Sequence, residues 1–356
     1  MRRIISLSLC GLLFAFSAFA TDYWVAMGNG RIDNDQSGIY IIRINDKGQI
    51  VSPVKNVWPN TPFNDGVPSL SVGSNNQLMV VELFRLLNDL THSNSSVTVI
   101  TLTLNKNTLA ATDLNTTGIQ HKDGFWIQSS QKSLTNLFAI RPGSSPNDDP
   151  KGYGFDPSGN ITGSWRLIPR IKNFSTDAGG VTADGKMGWA PLYDGSGFFR
   201  LYVQPLKDNG LPNGKPSVGA VTSIPFDAVD ISNPLPGNVR YVVYRNVNFV
   251  GASINLRLID ATTGKKVSQP IKLAEPSYSN FVQNLAIDPD GRFLLYKEDG
   301  EDTCPPATFG TQDFESDNLW FQKLGSGGVP VGDRILIVGC ADIPGGPGAI
   351  DVMKVQ

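Results

Sequence analysis

The chain has 356 residues, with 30 Lys and Arg against 32 Asp and Glu and a formal net charge of −2. That balance speaks against a binder of nucleic acid or anionic membrane, which would carry a basic excess. Charged residues are sparse at 17%, and 37 glycines with 24 prolines point to a turn-dense β protein rather than a helical or disordered one.

Residues 1–20 read as a secretory signal. Arg2 and Arg3 form the charged start, Ile4 to Phe16 the apolar core, and Ala18-Phe19-Ala20 a small-x-small cleavage site. The expected product is residues 21–356, one domain, secreted or periplasmic. No later stretch approaches the roughly 18 consecutive apolar residues of a membrane span. Cleavage removes Arg2, Arg3 and Cys10, taking the net charge to −4 and leaving Cys304 and Cys340, an even pair in an oxidising compartment. A bridge between them is expected to contribute roughly 3 to 4 kcal/mol by restricting the unfolded chain. Two free thiols remain the alternative.

The mature chain opens with a lone strand, Tyr23-Trp24-Val25-Ala26-Met27, and then alternates two kinds of hairpin. One recurs about every 54 residues: 68–82, 125–141, 178–193, 229–245 and 284–296. Taking Val72, Ile127, Val181, Ile231 and Ile287 as equivalent places, the steps are 55, 54, 50 and 56 residues. The other kind falls between these copies, at 39–50, 97–109, 153–161, 199–211, 254–267 and 319–329. Its turns, such as Asn45-Asp46-Lys47-Gly48, Lys207-Asp208-Asn209-Gly210 and Thr262-Thr263-Gly264-Lys265, supply the positive backbone angles that hairpins demand. Residues 83–90 (LFRLLNDL) are the one stretch that reads as a short helix. The chain ends in a lone strand, 349–355 (AIDVMKV).

A fixed period of this length means a repeat architecture. Two hairpins make one four-stranded antiparallel blade. The expected fold is all-β, a six-bladed β-propeller closed by the C-terminal strand pairing in the N-terminal blade, which removes the open sheet edges of a linear array.

Asp288-Pro289-Asp290-Gly291-Arg292 followed by Phe293-Leu294-Leu295-Tyr296 resembles the WD-repeat-like (WD40-like) propeller repeat of TolB-type periplasmic proteins, in which a Pro-Asp-Gly-Lys/Arg turn joins the two innermost strands. Thr182-Ala183-Asp184-Gly185-Lys186 is similar, with Ala in place of Pro. The other hairpins keep the strand pattern and lose the turn motif. The resemblance implies a rigid platform for a protein or small ligand, with no enzyme activity.

The loops expected to join second to third strands are the most varied, and variable loops on a rigid scaffold are where binding is usually placed. Together they carry −8, of which residues 297–317 (KEDGEDTCPPATFGTQDFESD) carry −6. Glu298, Asp299, Glu301 and Asp302 are the candidate contacts for a cationic small ligand or a basic protein segment. The bland reading is a solvated acidic loop. Asp33-Asn34-Asp35 places oxygen ligands at alternating positions, a weak calcium pattern that makes Asp33 and Asp35 the metal candidates; otherwise no cofactor is expected. Arg85, Arg141, Arg245 and Lys297 each close an apolar run. They suggest a ring of cations that either pairs with acids between blades or holds an anion. Trp24, Trp126, Trp189 and Trp320 are expected to fill gaps between blades, and Trp58 to lie in a loop as a stacking contact.

His92 and His121 are isolated and no Gly-x-Ser-x-Gly elbow exists, which argues against a histidine-dependent hydrolase. The reading is therefore an exported, monomeric, noncatalytic binding module with an acidic loop face. A metal-dependent propeller hydrolase, lactonase or lyase is the main alternative, and a structural surface protein the other.

Overall fold

The computed structural model describes residues 21–29, 38–59, 63–64, 69–72, 77–86, 96–120, 128–133, 136–141, 151–155, 161–166, 179–193, 195–248, 251–275, 285–299, 317–339, 342–343 and 347–355. Among them every regular element is a β-strand except one short 3-10 turn, Ser326–Gly328.

The strands come in chain order by sheet. β1 (Asp22–Asn29), β2 (Gly38–Asn45) and β3 (Ile50–Pro59) belong to the first sheet, β4 (Phe63–Asn64), β5 (Ser69–Val72), β6 (Gln77–Leu86), β7 (Ser96–Asn105) and β8 (Ala111–Gln120) to the second. β9 (Gln128–Ser133), β10 (Asn136–Arg141), β11 (Lys151–Phe155) and β12 (Ile161–Arg166) form the third. β13 (Gly180–Val181), β14 (Met187–Tyr193), β15 (Phe199–Pro205) and β16 (Ser217–Thr222) form the fourth. β17 (Phe226–Ile231), β18 (Val239–Asn248), β19 (Gly251–Asp260) and β20 (Ile271–Ala274) form the fifth, and β21 (Leu285–Ile287), β22 (Phe293–Asp299), β23 (Asp317–Lys323) and β24 (Ile335–Val338) the sixth. The last strand, β25 (Pro347–Lys354), returns to the first sheet and pairs antiparallel with β1, Val352 opposite Val25 and Asp351 opposite Ala26.

Val181, Ile231 and Ile287 are each the last residue of the first strand of a sheet, and Val72 ends β5, which like β4 pairs with β6 in the second sheet, so the sequence period marks a real structural place. Ile127 lies outside the described residues. The turn that follows is built by its own side chains. Asp288 accepts the backbone N–H of Asp290 at 3.1 Å and of Arg292 at 3.0 Å, while Gly291 takes φ +69. In the fourth sheet Thr182 Oγ1 accepts the N–H of Met187 at 3.1 Å, and Gly185 has φ +66.

Two expectations fail. Residues 83–86 are strand: Leu83, Phe84 and Arg85 face Val99, Thr98 and Val97 across β7. An apolar run this short cannot offset helix nucleation, whereas extending an existing ladder needs no nucleus. The outer strands of the last three sheets also begin later than their turns suggest. Leu206 and Pro212, Ile259 and Lys266, and Leu324 and Pro330 form single bridges, and pairing resumes only at Ser217, Ile271 and Ile335. Pro216 and Pro270 stand directly before two of these restarts. Proline has no N–H to give to a ladder and is confined to strand starts.

The core lies between sheets. Tyr23, Val25 and Met27 of β1 pack with Phe293, Leu295 and Phe321 of the sixth sheet, and the Tyr23 and Phe293 rings meet edge to face at 4.8 Å. Trp24 and Ile39 pack with Leu102 and Leu104 of the second sheet. Trp189 and Val203 pack with Val229 and Tyr244 of the fifth, which packs through Val243 and Leu256 on Leu285 and Leu294 of the sixth. Trp24 and Trp189 therefore fill inter-sheet gaps, as does the partly buried Trp320; Trp126 lies outside the described residues.

Gly264, at φ +70, brings its backbone against Val203, where an added Cβ would come within 2.7 Å of Cγ1. Gly264→Ala should lower unfolding stability by about 2 to 3 kcal/mol through steric clash and backbone strain together, read as a fall in the urea midpoint at constant slope.

Candidate functional site

Among the described residues, a cluster of polar and aromatic side chains lies at the end of the sixth sheet where β22 passes to β23. Tyr296 faces Trp320 across β22 and β23, and Glu298 faces Asn318. Arg334, just before β24, pairs with the Glu298 carboxylate, hydrogen-bonds the Tyr296 hydroxyl and lies 4.1 Å over the Trp320 ring. Burial pushes the Tyr296 hydroxyl up despite that cation. Glu298, only 12% exposed, is thus engaged inside its own sheet. One residue further on, Asp299 stands directly opposite Asp317. Like charges in cross-strand register destabilise a sheet unless something neutralises them. The other acids of this loop, Glu301 and Asp302, lie outside the described residues, as do Cys304, Cys340, Asp33, Asp35, His92 and His121.

The cation pattern resolves into two matched positions. Val242 faces Ile231 and Leu294 faces Ile287; Arg245 and Lys297 each follow by three residues, and both are buried between sheets. In β6 the residue facing Val72 is Leu78, so three further on is Val81, with Arg85 four places beyond. Arg85 and Arg141 lie opposite Val97 and Lys151. Trp58 is not in a loop: it is half-buried near the end of β3, opposite Ile39, and packs on the cluster around Trp24 and Leu102.

The sequence reading missed two carboxylates on first strands. Asp230 (β17) faces Val243, and Asp351 (β25) faces Ala26. Asp230 accepts the N–H of Ile231 at 2.7 Å and, across to the sixth sheet, that of Ile287 at 2.9 Å. Its side chain is half-buried. Burial, with the Asp351 charge adding to it, pushes the Asp230 carboxyl up to about 7, although the two amides pull the other way. The signal was present in the sequence: Ala228-Val229-Asp230-Ile231 and Ala349-Ile350-Asp351-Val352 each set one acid inside an apolar run.

A third displaced carboxyl, Asp288, is fully buried in its turn and pushed up to about 6 by that burial. Its neighbour Arg292 reaches the first sheet, 3.7 Å from Asp46 and 5.3 Å over the Tyr23 ring. Among the described residues no group of three or more His, Cys, Asp or Glu side chains could hold a metal.

No protein-family model matches the sequence, and no curated protein matches it. Among solved structures, the chain is similar to the periplasmic gluconolactonase of Pseudomonas aeruginosa, at 12% identity over 94% of this chain and 100% of that one, TM-score 0.51. It is also similar to a protein of unknown function from Dyadobacter fermentans, at 10% identity over 83% and 82%, TM-score 0.50. TolB from Acinetobacter baumannii aligns at 12% identity and TM-score 0.47, covering 93% of this chain, which spans about two thirds (66%) of that protein. At these identities the likeness is one of fold: all-β, four-stranded antiparallel sheets in a propeller-like arrangement. No helix among the described residues is long and apolar enough to cross a membrane.

Asp230 and Asp288 both sit above the ordinary 3.8 of a carboxyl. The folded state therefore holds more protons than the unfolded one between about pH 4 and 7, and their contribution is full below pH 4 and lost as pH rises through 6 and 7. Stability measured by urea unfolding should fall between pH 5 and pH 8, by on the order of 2 to 4 kcal/mol for Asp230.

Proposed function

We propose that residues 21–356 form an exported six-bladed β-propeller that acts as a noncatalytic binding module, engaging a cationic small ligand or basic protein segment through the acidic loop between β22 and β23. Residues 1–20 direct export to the periplasm or outside the cell, Cys304 and Cys340 form a disulfide, and the mature protein is a monomer. The ring reading rests on the β25–β1 pairing and on the way consecutive sheets share core residues.

The observation that carries the binding reading is the Asp299–Asp317 register pair. It sits at the base of a loop whose sequence adds Glu301, Asp302, Asp313 and Glu315 without a single base between 300 and 316. The register sets two acids of the loop's base on facing strand positions, and like charges so placed favour a cation between the strands over one at a scattered acidic surface. Glu298 is assigned a different role, holding Arg334 against Trp320.

Likeness of fold to a gluconolactonase does not carry its activity over, because activity lives in the site. The metal-enzyme reading requires calcium at Asp33 and Asp35, and stoichiometric calcium in the purified protein, with a rise in melting temperature on its addition, would favour it.

Deleting residues 347–356 should abolish cooperative unfolding, since it strips β1 of one of its two partners and leaves an open edge on the first sheet; a deletion variant that melts sharply near the full-length temperature would refute ring closure. For binding, titration calorimetry with a short Lys/Arg peptide at about 50 mM salt should give heats that the triple reversal Asp299→Lys, Glu301→Lys, Asp302→Lys removes and Glu298→Gln leaves in place. Equal heats from the reversed and parent proteins would remove the loop from the reading.

A further inference from the structure

The first and sixth sheets meet at a polar seam drawn from four parts of the chain. Arg292, on the turn between β21 and β22, is its centre. Its Nε lies 3.4 Å from the Asp288 carboxyl, its Nη2 donates to Asp290 at 2.8 Å, and its Nη1 lies 3.7 Å from Asp46 on the turn between β2 and β3. Lys354 of β25 reaches the same Asp290 oxygen at 3.2 Å. Thr21, directly before β1, is held in this seam at two points. Its carbonyl accepts the N–H of Asp46 at 2.9 Å, and its hydroxyl accepts Nη1 of Arg292 at 3.4 Å.

Two acceptor atoms of the seam lack a donor. Asp46 Oδ1 and the Tyr23 hydroxyl are buried, and neither has a hydrogen-bond partner among the described residues. The Arg292 guanidinium lies 5.3 Å over the Tyr23 ring, and burial, with the Asp288 charge next, pushes the Tyr23 hydroxyl up, so it stays neutral and able to accept. A buried oxygen left without a donor keeps its full desolvation cost. Charge is uneven as well: Asp46, Asp288 and Asp290 stand against Arg292 and Lys354, one acid in excess once Asp288 is ionised. The nearby Asp22 and Arg43 pair with each other across β1 and β2, and Lys47 is exposed on the turn that carries Asp46.

We propose that the α-ammonium of Thr21, created when residues 1–20 are removed, is the third cation of this seam and the donor to Asp46, so that cleavage completes the joint between the first and sixth sheets. The inference rests on the export reading given above. In hydrolysis of the Ala20–Thr21 peptide bond, water leaves a carboxylate on Ala20 and an ammonium on Thr21. Before that step the Thr21 nitrogen is a neutral amide with one hydrogen; afterwards it is a cation with three, on a residue whose carbonyl and hydroxyl already hold it against Asp46 and Arg292. A charge-assisted bond to a partly buried carboxylate is stronger than one between neutral groups.

Intact mass of the exported protein tests the premise: a start anywhere but Thr21 overturns the export boundary and this inference with it. The joint itself is tested on chains released from a fusion with a defined start, one at Thr21 and one with a single Ala ahead of it, which moves the ammonium about 3.8 Å along the chain. In the Thr21 chain the α-amine, followed by competitive acetylation against pH, should titrate about one unit above its ordinary value of roughly 7.7 to 8.0. One unit corresponds to about a tenfold gain in the folding equilibrium constant, full near pH 7 and lost as pH rises through about 9. In urea unfolding the added Ala should remove that gain, and in an Asp46→Asn background it should change nothing. An ordinary titration in the Thr21 chain, or an equal effect of the added Ala with and without the Asp46 carboxylate, overturns the proposal while leaving the export boundary in place. If Asp46→Asn does not fold, the titration of the parent decides alone.

Discussion

A four-stranded sheet with two apolar faces cannot stand alone in water, and in this chain the described core faces are covered by a neighbouring sheet. Everything else in the molecule follows from how that contact is fixed. Apolar packing is non-directional, so the neighbouring sheets are also pinned by polar groups at the inner turns. Arg240, 1% exposed, reaches from the fifth sheet to the Asp184 carboxylate of the fourth at 2.6 Å and also donates to the Ser232 and Ala261 carbonyls. A guanidinium so deeply buried is tolerated only with its partners in place. Asn233 donates to the Pro289 carbonyl at 2.8 Å, tying the fifth sheet to the sixth, and Asp290 meets Lys354 of β25 at 3.2 Å.

This arrangement separates the two ends of the sheets by chemistry. The inner-turn end is committed to holding neighbours together, through Asp184, Arg240, Asn233, Asp288 and Arg292. The loop end is where chain length and charge vary, with Asp299 and Asp317 as the visible base of its most acidic segment. Between the ends, β13 and β21 carry only small or apolar residues, whereas β17 and β25 each set an acid, Asp230 and Asp351, between apolar neighbours. With its carboxyl pushed up to about 7 by burial, Asp230 is a cost to the fold as pH rises through neutrality.

The repeat was legible because its carriers are local. Asp288 and Thr182 build their turns from their own side chains, and Gly48, Gly210 and Gly264 all take the positive φ that their turn sequences imply. The failures are equally specific. Leu83 to Leu86 look helical in isolation and are strand because β7 offers them a ladder. Trp58 looked like a loop residue because Pro59 and Asn60 follow it, yet it ends β3 and packs on a neighbouring sheet. Glu298 looked like one acid among many until Arg334, 36 residues later, was folded over it.

The sequence by itself determined the all-β class, the hairpin period and the places of the tight turns, because alternation and turn chemistry act over a few residues. Only the tertiary structure decided the register in which β25 lies on β1, that Asp230 of the fifth sheet accepts the N–H of Ile287 of the sixth, and that Arg245 and Lys297 match while Arg85 does not. Those are relations between residues tens or hundreds of positions apart. They depend on register and on the angle at which one sheet meets the next, and no local pattern in the chain encodes either.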